Sequence, residues 1–502
     1  MLFLIGHNIS QLNLVDTVRA ILISLVINLL IFIVCKRIYK NKIVGGYLSL
    51  LLFLFLFSYG HFFNLLYPVR VLGLKLARNS ILLPAYLLFL ILGLVFIRKS
   101  RSQLIRFTPY ANVLTGIMLM LPIIQTASYL VNREFFSRHD RPEAQEAGKL
   151  LSPVNGKTPD IYFIVLDGYN RDDILLDHFS FDNSSFIKDL QNLGFYVIEC
   201  SMSNYDHTNV SLASELNLNY MQALIPEAVA GEYEGKVISL LDNNLVRMEL
   251  EKIGYRVYQI HNDTYPWLNW SDINSISPAE RKAILTGSLN PFEVMFLDTT
   301  IIKTMTMHFP QLFNIEKEIE ISRFDAKMAH ELFILDTLPE LASKPGPKFV
   351  NAHLMITHTP FIFTSNGERI DPKYRAVPLS DDLYRDGYIN QVEYLNKRLL
   401  IILGELVEKS KDPPIIILQA DHGNKNDIGD KVDRPNQIFT AYFLPGLNET
   451  PYPTMSSINT FRFLFNHYFD TKFSYLEDNS YQVIDLTNYT YELVEEDQPR
   501  CK

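Results

Sequence analysis

Apolar residues are distributed along this chain in two distinct ways. Over the first 131 positions they form four long runs, 15–35, 44–67, 81–97 and 110–131. Each is near the ~20 residues needed to cross the hydrocarbon core of a bilayer. The third is short and contains Pro84. Beyond position 157 the apolar residues come instead in short blocks rich in Ile, Val, Phe and Tyr, which predict strands at 160–166, 195–198, 255–260, 348–353, 415–418 and 439–444. Helical periodicity separates them at 184–193, 240–253, 327–338 and 383–409. This alternation predicts an α/β domain, a doubly wound and mostly parallel sheet, behind an N-terminal helical membrane domain. The stretch 133–157 is charged and polar, with Pro142, Pro153 and Gly156, and reads as a juxtamembrane helix followed by a linker. The expected division is therefore a membrane domain over 1–132, a connection over 133–157 and a second domain over 158–502.

Charge gives this division a direction. Residues 1–132 hold twelve Lys and Arg against one acid, Asp16, a balance of +11 that leaves −20 on the remainder of a chain whose net charge is −9. An acidic second domain argues against nucleic acid as a partner, because phosphate neutralisation needs a basic face. The basic loops at 36–42 and 98–106 are expected on the cytoplasmic side. The amino terminus and everything after about Asn132 then lie outside, in a bacterial-type inner or plasma membrane crossed several times. Arg70, Lys75 and Arg78 in the 68–80 loop weigh the other way without reversing the balance. No basic start precedes a small-residue cleavage site, so the first run reads as a retained anchor. His61 and Asn64, late in the second run, fit either a residue reaching the membrane interface or a headgroup or transport site. The three cysteines, Cys35, Cys200 and Cys501, suggest no disulfide framework.

Candidate chemistry gathers at the ends of the expected strands, where open α/β sheets place their sites. The first strand runs into Asp167-Gly168, and the strand at 415–418 runs through Gln-Ala into Asp421-His422-Gly423. A carboxylate and an imidazole side by side can hold a divalent cation; alone, the same tripeptide can be a helix cap with a surface histidine. After the strand at 195–198 comes a polar loop, and Thr208 opens a helix of small residues. A hydroxyl there is commonly only a cap, but beside a metal it becomes a nucleophile. One strand ends at His261, and another approaches His353 and His358. His353, within an apolar run, reads as structural, and His358, before Thr-Pro, as the ligand.

Together Leu166-Asp167-Gly168, Thr208 with Ser211, Thr-His358-Thr-Pro-Phe and Ala420-Asp421-His422-Gly423 resemble the alkaline phosphatase superfamily in its sulfatase-like branch. The nearest comparison is with membrane-anchored lipoteichoic acid synthases and phosphoethanolamine transferases, over most of 158–470. The resemblance implies a metal held by Asp167, Thr208, Asp421 and His422, and a phosphoryl transfer in which Thr208 is the nucleophile. It places Asn209 and His261 near the substrate and His358 at the phosphoryl group or leaving oxygen. One divalent ion, zinc or manganese, is implied, with a second left open. The implied partners are the membrane, a phospholipid donor and an envelope glycan or lipid acceptor. Trp267 and Trp270 follow His261, but the arginine found there in the synthases does not, and the cysteine pairs of the transferases are missing. A threonine is not converted to the aldehyde that true sulfatases use, so phosphoryl chemistry is preferred to sulfate ester cleavage. Two alternatives stand beside transfer. One is a phosphodiesterase or phosphatase using the same site with water, and the other is an envelope scaffold that keeps the fold without catalysis.

Overall fold

The computed structural model describes residues 1–7, 14–66, 70–71, 74–75, 77–136, 151–226, 233–260, 291–302, 315–374, 379–425, 435–485 and 490–494. They form two compact units, Met1–Glu134 with Glu280–Asp325, and Phe135–Ala279 with Ala326–Lys502. Of Glu280–Asp325, the described residues 291–302 and 315–325 group with the N-terminal helices.

The first unit includes, beside the short helices Leu2–His7 and Pro291–Asp298, α1 (Leu14–Tyr39), α2 (Lys42–Phe57), α3 (Tyr59–Leu66), α4 (Asn79–Lys99) and α5 (Arg101–Phe136). Among the described residues three stretches are long and apolar enough to cross a membrane: Thr17–Tyr39, Asn79–Lys99 and Arg101–Ser128. The second expected run is interrupted at Ser58, which ends α2 after 16 residues and lets α3 begin separately. Pro84 does not shorten α4, because it falls early in the helix, where few intrahelical bonds to a preceding carbonyl are lost. Leucine, isoleucine and phenylalanine side chains on α1, α4 and α5 are largely exposed, as lipid-facing residues are. Where helices meet, small residues allow the approach. A Cβ on Gly45 of α2 would stand 2.8 Å from the backbone nitrogen of Lys36. Ser49 donates to Asn28 across the same contact at 2.7 Å.

The second unit is built on six strands: β1 (Ile161–Leu166), β2 (Tyr196–Val197), β3 (Arg256–Gln259), β4 (Lys348–Leu354), β5 (Ile415–Gln419) and β6 (Thr440–Phe443). Their spatial order is β2-β6-β5-β1-β4-β3. The four strands β5-β1-β4-β3 are parallel, and β6 and β2 complete the sheet antiparallel. The mostly parallel α/β sheet expected from the pattern is the one observed. Every residue of β1, β4 and β5 is buried, which explains the apolar residues on both their faces, interrupted by Lys348, Asn351 and His353 of β4 and Gln419 of β5. The helices used below are α6 (Thr208–Leu216), α7 (Ile315–Leu341), α8 (Asp381–Lys409) and α9 (Thr460–Tyr468). Val210, Leu212, Ala213 and Leu216 of α6 join Phe163, Val165 and Phe461 in one core. Cys200 is disulfide-bonded, and Cys35 is free. A disulfide is therefore present where the cysteine spacing suggested none, since three cysteines set far apart give no pairing pattern to read.

Candidate functional site

Register alone brings the two acids together. Val165 on β1 pairs with His353 of β4 on one side and Gln419 of β5 on the other. Paired residues of a parallel sheet point to the same face, and residues two apart share that face. Asp167, two past Val165, and Asp421, two past Gln419, therefore emerge side by side, with His353 beneath them. One oxygen each from Asp167 and Asp421 and one nitrogen of His422 lie within 4.8 Å of one another, and all three residues are buried. Gly168 supplies the turn that releases the chain from β1, with a φ of +71° that favours glycine, and its N–H points at Asp421 Oδ1 (3.4 Å).

Helix α6 delivers the hydroxyl. Its N-cap position is His207, so Thr208 is the first helical residue, not the cap. Thr208 Oγ1 lies 3.2 Å from His422 Nε2. Three residues on, Ser211 Oγ donates to the Asp421 carbonyl at 2.7 Å and ties the helix to the strand end. His422 Nδ1 lies 2.7 Å from the Gly423 carbonyl and must donate to it, which leaves Nε2 with a lone pair. Just outside, His207 Nδ1 contacts Asp206 Oδ1 at 2.8 Å.

The donor set fits a divalent cation. Neither oxygen of Asp167 accepts a hydrogen bond, nor does Asp421 Oδ2, although both residues are nearly inaccessible to water. Buried carboxylates left this way are costly unless a positive charge joins them. His353 Nε2 stands 3.2 Å from Asp167 Oδ2, close but poorly aligned. Burial by itself would raise the Asp167 carboxyl, but His353, His358 and His422 outweigh it and hold it below the usual carboxylate range. Burial likewise opposes protonation of His353, yet Asp167 prevails and raises it. His422, by contrast, is lowered by burial and kept in the neutral form a ligand needs.

Of the residues singled out from sequence, Asp167, Thr208, Asp421 and His422 converge. Asn209 is half-buried at the second position of α6. His358 lies in the loop after β4, exposed, with Nδ1 2.5 Å from the Thr359 carbonyl. His261, Trp267 and Trp270 lie outside the described residues. The residue that sequence reasoning set aside is His353. Its apolar neighbours hid it, and only the register of β4 against β1 places it under Asp167.

No family model matches the sequence, and no curated protein matches it. Solved structures do match at low similarity. The C-terminal periplasmic domain of EcEptC from Escherichia coli, in complex with zinc, has 10% identity and a TM-score of 0.39, over 66% of this chain and 92% of that one. A putative sulfatase from Bacteroides thetaiotaomicron has 10% identity and a TM-score of 0.37, over 65% and 78%. The integral membrane lipooligosaccharide phosphoethanolamine transferase A (EptA) from Neisseria meningitidis has 9% identity and a TM-score of 0.35, over 80% and 75%. Likeness at this level assigns no activity to this chain; the chemistry has to come from its own side chains.

Proposed function

We propose that this chain is a membrane-anchored, metal-dependent phosphoryl-group transferase that uses Thr208 as nucleophile. The observation that carries this reading is the Thr208 hydroxyl, 3.2 Å from His422 Nε2 and beside two buried carboxylates with unbonded oxygens. Asp167, Asp421 and His422, joined by Thr208, would hold the cation, zinc or manganese. Such an ion supplies charge neutralisation and makes the hydroxyl more acidic.

Thr208 Oγ1 loses its proton to water and attacks phosphorus of a phosphodiester. The new Thr208 O–P bond forms as the bond to the leaving alcohol breaks, and His358, exposed in its loop, gives the leaving oxygen a proton. An acceptor hydroxyl then gives its proton to His358 and attacks phosphorus, the Thr208 O–P bond breaks, and Oγ1 takes back a proton from water. The first amides of α6 face the anion that develops at its N-terminus. A phospholipid donor and an envelope glycan or lipid acceptor suit a site carried behind membrane helices. The disulfide at Cys200 supports an oxidising, extracytoplasmic location, in keeping with the basic loops.

The test uses full-length protein in bilayer discs with phospholipid labelled in its headgroup phosphate. Diacylglycerol release, label transferred to added envelope glycan or lipid, and label freed to water are followed separately. Wild type is expected to carry the phosphate with its headgroup still esterified on Thr208 by mass spectrometry, and Thr208→Ala to lose at least ~100-fold in turnover. Full activity in Thr208→Ala, or purified protein without a divalent metal, would overturn the reading. Label appearing only in water would make the enzyme a phosphodiesterase.

A further inference from the structure

Nothing above requires the long helix α7, yet two of its side chains, one turn apart, close on the loop that leaves β4. Lys327 Nζ donates to the carbonyls of His358 (2.7 Å) and Pro360 (3.1 Å), on either side of Thr359. Glu331 Oε2 accepts the N–H of Met355, the first residue after the strand, at 3.0 Å. The middle of the loop is held from below, where Thr357 Oγ1 donates to the Asp167 carbonyl. The backbone around His358 is thus anchored to both α7 and β1, while its imidazole stays exposed. That ring is itself oriented by the Thr359 carbonyl at Nδ1, which turns Nε2 outward.

We propose that Lys327 is a positioning residue that sets the His358 imidazole beside the Thr208 centre, by fixing the carbonyls of His358 and Pro360. The proposal rests on the role given to His358 above. An ammonium group is an expensive way to hold a loop, since a neutral donor avoids the cost of desolvating a charge. Burial pushes the Lys327 amine down to about 8 and the Glu331 carboxyl up to about 7, so both groups bear that cost. A lysine gains what an amide would not, a positive charge close enough to be felt by Asp167 and hence by a phosphoryl anion bound there. Its ammonium also spans two carbonyls that are two residues apart. Glu331 complements it by fixing the start of the loop.

The experiment is a double-mutant cycle on metal-loaded, full-length protein with glycerophosphocholine, a phosphodiester whose leaving alkoxide needs a proton, as the probe. Lys327→Met is expected to lower kcat about 10- to 100-fold with KM little changed, as a displaced catalytic group does. In a His358→Ala background the same substitution should then cost nothing further, because residues acting through one another are not additive. Lys327→Arg should recover part of the loss. Multiplying losses, or a Lys327→Met enzyme with wild-type kcat, would overturn the proposal. The ring resonances of His358, in protein labelled at histidine, give a readout free of substrate. They should shift in Lys327→Met, and unchanged resonances would again overturn it. If wild type turns over no phosphodiester while the resonances do shift, the reading of function fails and the tether stands. Should Lys327→Met not fold, Lys327→Gln serves in both measurements with the same expectations.

Discussion

Glu215 lies seven residues past Thr208 on α6, two turns along the same face, and is fully buried. Its Oε1 accepts from Gln419 Nε2 at 2.8 Å, and Gln419 Oε1 in turn accepts from Thr460 of α9 (2.8 Å) and Tyr442 of β6 (3.3 Å). The helix that presents Thr208 is thus tied to the strand that presents Asp421 by a polar network. Desolvation pushes the Glu215 carboxyl well above its ordinary value, outweighing the Gln419 hydrogen bond. An acid whose folded pKa is raised binds its proton more tightly when folded. Its stabilising contribution is complete below the unfolded value and is lost as pH rises through the folded one. Glu215→Gln removes that loss, since the amide has nothing to ionise. Melting curves should show the variant gaining on wild type as pH climbs from 4 to 8, with the two converging at the acid end. A difference that does not vary with pH would mean that Glu215 is ionised in the folded protein. At this scale sequence goes some distance. Asp167, Thr208, Asp421 and His422 could be picked out because acids and hydroxyls at strand ends and helix starts are visible as breaks in an apolar pattern. His353 and Glu215 could not, because each sits within the pattern and is given meaning only by what lies across from it.

Among the elements, α8 also holds the loop of His358. Gly387 on α8 faces Phe361, three residues past His358, so closely that a Cβ would lie 2.3 Å from the ring Cδ2. The ring is fully buried, and Gln391, one turn further on, bonds the N–H groups of Ile362 (3.3 Å) and Phe363 (3.0 Å). Neither partner can yield without moving the loop. Gly387→Ala should destabilise the second unit by about 1–3 kcal/mol, as overpacking does. It should also lower turnover by more than the unfolded fraction accounts for. A variant that melts and turns over like wild type would show that the loop shifts freely. The strands and most helices were legible because burial on both faces leaves an apolar block with abrupt polar ends. The antiparallel partner strands β2 and β6 carried no sign of their direction, which depends on how far the chain travels between them. The break at Ser58 was hidden for a related reason. Hydropathy continues across it through Tyr59, Phe62 and Phe63, while the Gly60 N–H leaves the helical ladder for the Thr299 carbonyl.

For the molecule as a whole, the unexpected feature is the return of the chain to the membrane helices between β3 and α7. Within the first unit the helix Pro291–Asp298 lies against α1, where Phe292 packs with Ile5 and Ala20. Phe296 stacks on Phe57 at 5.1 Å, and the Thr299 carbonyl accepts the Gly60 N–H at 2.8 Å. The decisive contact is ionic. Arg19, three residues into the stretch Thr17–Tyr39, donates from Nε to Glu293 Oε1 at 2.6 Å and from Nη2 to Oε2. A guanidinium at the edge of an apolar span needs a partner or water, and a fork of two hydrogen bonds to one carboxylate satisfies it well. The apolar pattern marked no element here, since a carboxylate among Phe, Val and Met looks the same whether its counter-ion is near or 274 residues away. Glu293→Leu would take this two-bonded carboxylate away from Arg19. The pair is only part-buried, so the loss is expected to fall below the ~3–5 kcal/mol of a fully buried pair, whereas replacing both by apolar residues costs little. In detergent, Glu293→Leu should therefore lower the melting temperature of the first unit and expose the Pro291–Asp298 helix to protease. Adding Arg19→Met should recover most of both. If single and double variants melt alike, the pair does not hold this segment, and apolar packing around Phe292 and Phe296 suffices. The residues of the second unit, measured by metal retention at Asp167 and Asp421, should be indifferent to either change.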